Sequence, residues 1–189
     1  IKGSLDLTEP DGGEVWEVTT DHDITWTHQG TMNIKLKYST DGGVTYPEGN
    51  LIVTDRPANT LFYTWTIPDV IDNDIRVRIS NVNDDTVYDT SQANFAIKGR
   101  FILNYPNGAE TLYVDEQKNI TWQTFGTIPK VNLYYSTDGG LTYPSTIATA
   151  EDNDNSYLWT IPDAIDNEIR VQVESYYDSF VFDTSNANF

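Results

Sequence analysis

The sequence predicts an all-β chain of two tandem β-sandwich domains of about seven short strands each. Two observations carry that prediction. One series of motifs occurs twice, in the same order, within 189 residues. Wherever apolar residues cluster they alternate with a period of two, the signature of half-buried strands.

The duplication comes first because it sets the domain count. Pro10-Asp11-Gly12-Gly13-Glu14 returns as Pro106-Asn107-Gly108-Ala109-Glu110, and Ile24-Thr25-Trp26 as Ile120-Thr121-Trp122. Tyr38-Ser39-Thr40-Asp41-Gly42-Gly43 returns as Tyr135-Ser136-Thr137-Asp138-Gly139-Gly140. Trp65-Thr66-Ile67-Pro68-Asp69 matches Trp159-Thr160-Ile161-Pro162-Asp163, and Ile75-Arg76-Val77 matches Ile169-Arg170-Val171. Asp89-Thr90-Ser91 to Phe95 matches Asp183-Thr184-Ser185 to Phe189. The repeats occupy residues 1–96 and 97–189, with length changes near Pro129 and after Tyr143. The opening Ile1-Lys2-Gly3 repeats the join Ile97-Lys98-Gly99. That phase is the one expected of a stretch taken from a longer array. So short a join predicts restricted rotation between domains.

Within one repeat, residues 5–8 and 15–18 supply the opening edge. In 22–27, Ile24 and Trp26 share a face. In 33–39, Ile34, Leu36 and Tyr38 share one while Lys35 and Lys37 point away. In 74–80, Ile75, Val77 and Ile79 point inward and Arg76 and Arg78 outward. Residues 62–67 and 86–88 add two further β-rich runs. Pro10 and Pro106 end the first strand before it crosses between sheets. Asp-Gly-Gly at 41–43 and 138–140 supplies the positive φ of a tight turn. Trp26, Trp65, Trp122 and Trp159 are the expected core anchors, and Trp16, whose counterpart is Leu112, is expected to be apolar filling.

Composition narrows the function. Eleven basic residues against 29 acidic give a net charge of −18, which opposes nucleic-acid and anionic-membrane binding. With no cysteine, disulfides, thiolate metal sites and cysteine nucleophiles are excluded. No apolar run approaches the roughly 20 residues that cross a bilayer, so direct membrane insertion is not expected.

The ordered string Pro-x-Gly-Gly-Glu, Ile-Thr-Trp, Ser-x-Asp-Gly-Gly-x-Thr-aromatic, Tyr-x-Trp-x-Ile-Pro, Ile-Arg-Val and Asp-x-Ser-x-x-x-Phe resembles an immunoglobulin-like family. That family is described as Ser-Thr-rich, GPI-anchored membrane proteins related to fungal cell-wall glucan-assembly proteins. Tyr46 and Tyr143 stand where the family often has Trp, and Ala109 replaces its second Gly. The resemblance implies sandwiches of immunoglobulin/fibronectin-III type, no shared catalytic residue, and bacterial relatives that are repeats of large secreted or surface proteins.

Candidate sites are few. The two histidines, His22 and His28, have Lys118 and Thr124 as counterparts, a poor basis for catalysis. No phosphate loop, His-x-x-x-His pair or nucleophile elbow occurs, so no enzyme and no catalytic residue is expected. Calcium is the one cofactor considered, at Asp72, Asp74, Asp166 and Glu168, with Asp84-Asp85 and Glu151-Asp152-Asn153-Asp154 as further oxygen donors. Against it stands the ordinary role of Asp and Asn in turns. Asp89 and Asp183 are expected to cap a turn before the last strand. Tyr134, Tyr157, Tyr176, Tyr177 and Phe180 form a candidate sugar-stacking face in the second repeat. The leading expectation is a spacer repeat of an extracellular or surface protein, bacterial in origin, in contact with neighbouring repeats, cell-wall polysaccharide or a surface protein. The rival is a carbohydrate- or cell-wall-binding module of a secreted enzyme.

Overall fold

The computed structural model describes residues 2–189. The chain forms two units, one ending at Lys98 and the other spanning Gly99–Phe189. The first contains β1 (Ser4–Glu9), β2 (Val15–Glu17), β3 (Asp21–Gln29), β4 (Asn33–Ser39), β5 (Leu51–Pro57), β6 (Phe62–Thr66), β7 (Asp72–Asn81), β8 (Asp84–Thr90) and β9 (Phe95–Lys98). One sheet runs β1-β3-β6, the other β2-β9-β7-β4-β5, and β8 shares the edge of β7 with β9.

The second unit contains β10 (Arg100–Tyr105), β11 (Gln117–Phe125), β12 (Lys130–Ser136), β13 (Ser145–Asp152), β14 (Ser156–Thr160), β15 (Arg170–Ser175) and β16 (Asp178–Thr184). Its sheets run β10-β11-β14 and β13-β12-β15-β16, the same path as in the first unit. There are nine strands against seven because β2 and β9 have no strand counterpart in the second unit. No α-helix occurs among the described residues.

Alternation makes the strands. In β3 and β11 the buried positions are Ile24 and Trp26, and Ile120 and Trp122, each two residues apart. In β7, Ile75, Val77 and Ile79 are fully buried. Edge strand β5 shows no such rhythm, because its pairing with β4 slips twice and each slip turns the following side chains over. The first strands end at Pro10 and Pro106, after a register shift in both copies.

Asp89 and Asp183 do not cap a turn. Each lies inside a strand, β8 or β16, and accepts a backbone N–H from the opposite sheet: Leu7 at 2.7 Å and Leu103 at 2.6 Å. Both donors sit at the register shift of the first strand. There the outward amide has no ladder partner, and a carboxylate satisfies it with a charge-assisted bond.

Trp26, Trp65, Trp122 and Trp159 are all buried. Trp26 and Trp122 also need a partner for the indole N–H. In the first unit it is the Ala58 carbonyl, at 2.9 Å, in a 3-10 turn at Ala58–Thr60. The second unit is shorter after Tyr143 and has no such turn, so the Asn153 side chain supplies the oxygen at 2.8 Å. Asn153 also donates to the Ile128 carbonyl at 2.7 Å and to Thr124 Oγ1 at 3.0 Å. One side chain replaces the lost backbone.

Trp16 is more than filling. It stacks on His22 at 4.5 Å and touches Trp65 and Phe95 at 6.2 and 4.9 Å, a cluster that Leu112 cannot reproduce.

These contacts set stability unit by unit. Trp65→Ala and Trp159→Ala each lower the stability of their own unit by about 3–5 kcal/mol, read as a shift of one transition in chemical denaturation. Asn153→Ala strands the Trp122 N–H and lowers the second unit alone by about 1–3 kcal/mol. Movement of the first unit's transition would contradict that assignment.

Candidate functional site

The Asp-Gly-Gly loop is the most tightly specified polar feature of both units. Ser39 Oγ accepts from Gly43 N at 2.9 Å and from Asp41 N at 3.2 Å, and donates to the Asp41 carboxylate. Asp41 in turn accepts from Thr45 N and Thr45 Oγ1, at 2.9 and 2.6 Å. Ser136, Asp138, Gly140 and Thr142 repeat every one of these bonds. Serine and threonine hydroxyls hold each carboxylate in its charged form, pulling Asp41 and Asp138 down to about 2. The motif is therefore a self-satisfied loop, with its ligand oxygens already engaged.

Beside that loop a second polar clamp recurs. Arg76 Nε donates to Asn94 Oδ1 at 2.6 Å, and Arg170 Nε to Asn188 Oδ1 at 2.6 Å. The buried Ser91 and Ser185 accept the Val77 and Val171 amides, each at 3.0 Å. Arg76, on the outward side of β7 as expected, is half-buried there by these bonds, and Arg170 repeats them.

The carboxylates considered for calcium have local work. Asp72 Oδ1 accepts the Asp74 amide at 2.8 Å, and Asp74 Oδ1 accepts from Asn94 Nδ2 at 2.7 Å. Asp166 Oδ1 accepts the amides of Asn167 and Glu168, at 2.7 and 3.0 Å. Asp84 pairs with Lys2, Asp85 with Lys35 and Asp152 with Lys130. Among the described residues no three His, Asp or Glu side chains gather as a metal site would require. His22 is taken up by Trp16 and by Thr20 Oγ1 at 3.1 Å.

The two units differ most on the outer face of the sheet that holds β4 and β7, or β12 and β15. In the first unit it carries Lys35, Lys37 and Arg78. Lys35 pairs with Asp85 at 2.8 Å, and Lys37 pairs with Glu48. The Arg78 guanidinium lies 3.9 Å from the Tyr88 ring centroid and covers it. In the second unit Asn132, Tyr134, Gln172 and Glu174 stand in the same register. With Gln172 in place of Arg78, the Phe182 ring lacks the arginine that covers Tyr88. Phe180 and Phe182, alternate residues of β16, share the outward side, and Phe180 is 85% exposed. Tyr176 and Tyr177 meet edge to face at 5.1 Å at the same end of the sheet. Burial pushes Glu174 up from the ordinary carboxylate range, against a hydrogen bond from Asn132, and burial beside Glu174 raises Tyr134. Of the aromatics singled out in the sequence, Tyr134, Tyr176, Tyr177 and Phe180 border this face. Tyr157 instead packs against the second unit's core.

A second concave feature lies at the opposite side of the second unit. A groove of about 170 Å³ is lined by Leu112, Val114, Tyr135, Trp159, Ile161 and Ile169, with Glu110 and Asp166 at its rim.

Comparison with family models gives no match, and comparison with curated proteins gives none. Solved structures of two-domain chains do match. The fibronectin(III)-like modules of Clostridium thermocellum CbhA are 18% identical over 95% of this chain and 90% of that one, with a TM-score of 0.31. The titin domains Z1Z2 in complex with telethonin are 16% identical over 98% and 94%, with a TM-score of 0.34. A chain from the complex of Dpr11 IG1 with DIP-gamma IG+IG2 is 10% identical over 96% and 95%, with a TM-score of 0.30. The chain is nearly all-β, with two sheets in each unit. The strand paths above are this chain's own.

The loop carboxylates give a pH dependence whose sign is fixed. Asp41 and Asp138 ionise near 2 when folded, against an ordinary value of 3.8. Their contribution is complete above the ordinary value and is lost as pH falls through 2. Side-chain NMR titration should place both midpoints near 2, and Asp41→Asn should flatten the first unit's acid destabilisation between those limits. A midpoint near 4 for either residue would refute the bonding described.

Proposed function

We propose that the chain is a non-catalytic structural repeat of an extracellular or cell-surface protein, an adhesin stalk, surface-layer or filament component of bacterial origin. One observation carries the reading: the two copies share the Ser-Asp-Thr loop, the Arg-Asn clamp and the cross-sheet carboxylate position for position and diverge on their surfaces. Selection for a common reaction would instead keep a common set of exposed polar groups in a cavity. The shared Ser-Asp-Thr loops, Arg-Asn clamps and cross-sheet carboxylates all spend their hydrogen bonds on the fold. The likeness of the motif string to the Ser-Thr-rich, GPI-anchored family, with its repeats in large surface proteins, supports the same reading. Neighbouring repeats are the first partners it implies.

The exposed aromatics of the second unit favour a second reading, attachment to cell-wall polysaccharide. Phe180, Phe182 and Tyr177 offer rings, and Gln172 and Glu174 offer polar groups of the kind that orient a sugar.

Antibody labelling of intact producing cells tests the location: surface signal without permeabilisation is expected, and signal only after lysis would defeat the reading. Incubation with a polysaccharide panel should release no reducing sugar. Retention on insoluble cell-wall polysaccharide that falls at least tenfold in Phe180→Ala/Phe182→Ala would establish attachment in place of a purely spacing role.

A further inference from the structure

Strand β9 shows what the sandwich needs at one place. It runs parallel to β2, pairing Ala96 with Val15, Ile97 with Trp16 and Lys98 with Glu17. It runs antiparallel to the start of β7, with Ile97 opposite Asp72 and Phe95 opposite Ile75. Ala96 N donates to Glu14 O and Val18 N to Lys98 O, both at 2.9 Å. Ile97 is fully buried. Both flanking segments are strands because β9 supplies their ladder partners.

In the second unit Phe189 N reaches Ile169 O at 3.1 Å, the pairing that Phe95 and Ile75 make. Beyond it the flanking segments lack strand structure: residues 111–113 correspond to β2, and 166–168 to the start of β7. The groove described above lies between them. Val114 is 40% exposed where its counterpart Val18 is fully buried, and Ile165 is 88% exposed against 43% for Ile71.

We propose that this groove is the seat of an added β-strand, and that its occupant is the Ile1-Lys2-Gly3 segment of a second copy of the chain. The template is internal. Ile97-Lys98-Gly99 fills the first unit's groove and leads directly into β10, while the identical Ile1-Lys2-Gly3 leads into β1. A segment that precedes a first strand is thus built to complete the unit before it. The isoleucine enters the apolar floor of Leu112, Tyr135, Trp159 and Ile161, and the lysine meets a rim that carries Glu110 and Asp166. Main-chain bonds to 110–114 and 166–169 supply the ladder, the mode by which an extended peptide extends a sheet edge. Two residues alone bind weakly, so the contact depends on the high effective concentration that a head-to-tail linkage provides, on the order of millimolar. The inference deepens the repeat reading and rests on it.

The test is a head-to-tail fusion of two copies with one alanine between Phe189 and the next Ile1, reproducing the spacing of Phe95-Ala96-Ile97. Hydrogen exchange at Val114, the counterpart of Val18, should slow at least tenfold in the upstream copy relative to the single chain. That unit's melting temperature should rise by several degrees. The same fusion with Ile1→Asp in the downstream copy should lose both gains while its circular dichroism stays that of a β protein. Unchanged Val114 exchange in the fusion, or gains that survive Ile1→Asp, would overturn the inference. Surface labelling and sugar release do not depend on this outcome, so failure of the repeat reading remains distinguishable from failure of strand insertion.

Discussion

A sandwich of two short sheets has open edges, and in both units one carboxylate ties them together. Asp89 in β8 and Asp183 in β16 accept an amide from the first strand of the opposite sheet, at Leu7 and Leu103. The bond has to form where it does. The first strand slips register as it approaches Pro10 or Pro106, and the slip leaves one amide facing the other sheet. An unmet buried amide is costly, whereas an ionised acceptor gives it a strong partner. With the first strand fixed, Leu5, Leu7, Phe101 and Leu103 are held over the tryptophans. The glycines that follow fit the same constraint. A Cβ on Gly12 would come within 2.4 Å of Ala93, and one on Gly108 within 2.7 Å of Ala187. The backbone there also has φ of 129° and 126°, which only glycine adopts without strain.

The copies show how far such a scaffold bends. Loss of residues after Tyr143 removes the turn that receives the Trp26 N–H, and Asn153 restores the bond with a side chain. Replacement of Trp16 by Leu112 removes an aromatic cluster. The first change is compensated within its unit. The second is not: Leu112 has no ring to stack, and Leu112, Trp159 and Ile161 line the second unit's groove.

Periodic features were legible in the sequence and non-periodic ones were not. Alternation around Trp26 and Trp122 located β3 and β11, because burial on one face leaves a regular trace. The duplication gave the common strand path. The roles of Asp89 and Asp183 left no such trace: each joins residues about 80 positions apart, and a lone Asp before Thr-Ser reads equally well as a turn cap. Arg76 reads as outward from alternation alone, which reports the face but not that Asn94 and the Ser91 carbonyl engage its guanidinium there. Asn153 looked like one member of an acidic run. Its neighbours Asp152 and Asp154 do serve a surface ion pair and a turn, and only the position of Trp122 distinguishes it. Edge strand β5 escaped because its register slips erase the rhythm that marks a strand.

The outer sheet faces carry the clearest divergence in chemistry. In a chain with only eleven cations, Lys35, Lys37 and Arg78 stand together on one face of the first unit. There they are consumed by Asp85, Glu48 and the Tyr88 ring. Two of the three cations are paired with carboxylates and the third lies over a neutral ring, and exposed pairs of this kind are screened and weak. The second unit has Asn132, Tyr134 and Gln172 in the equivalent register, with Phe180 and Phe182 exposed beside them and the Glu174 pKa raised by desolvation. The same fold thus presents a face of paired lysines and a ring-covering arginine in one unit and a face of exposed phenylalanines in the other.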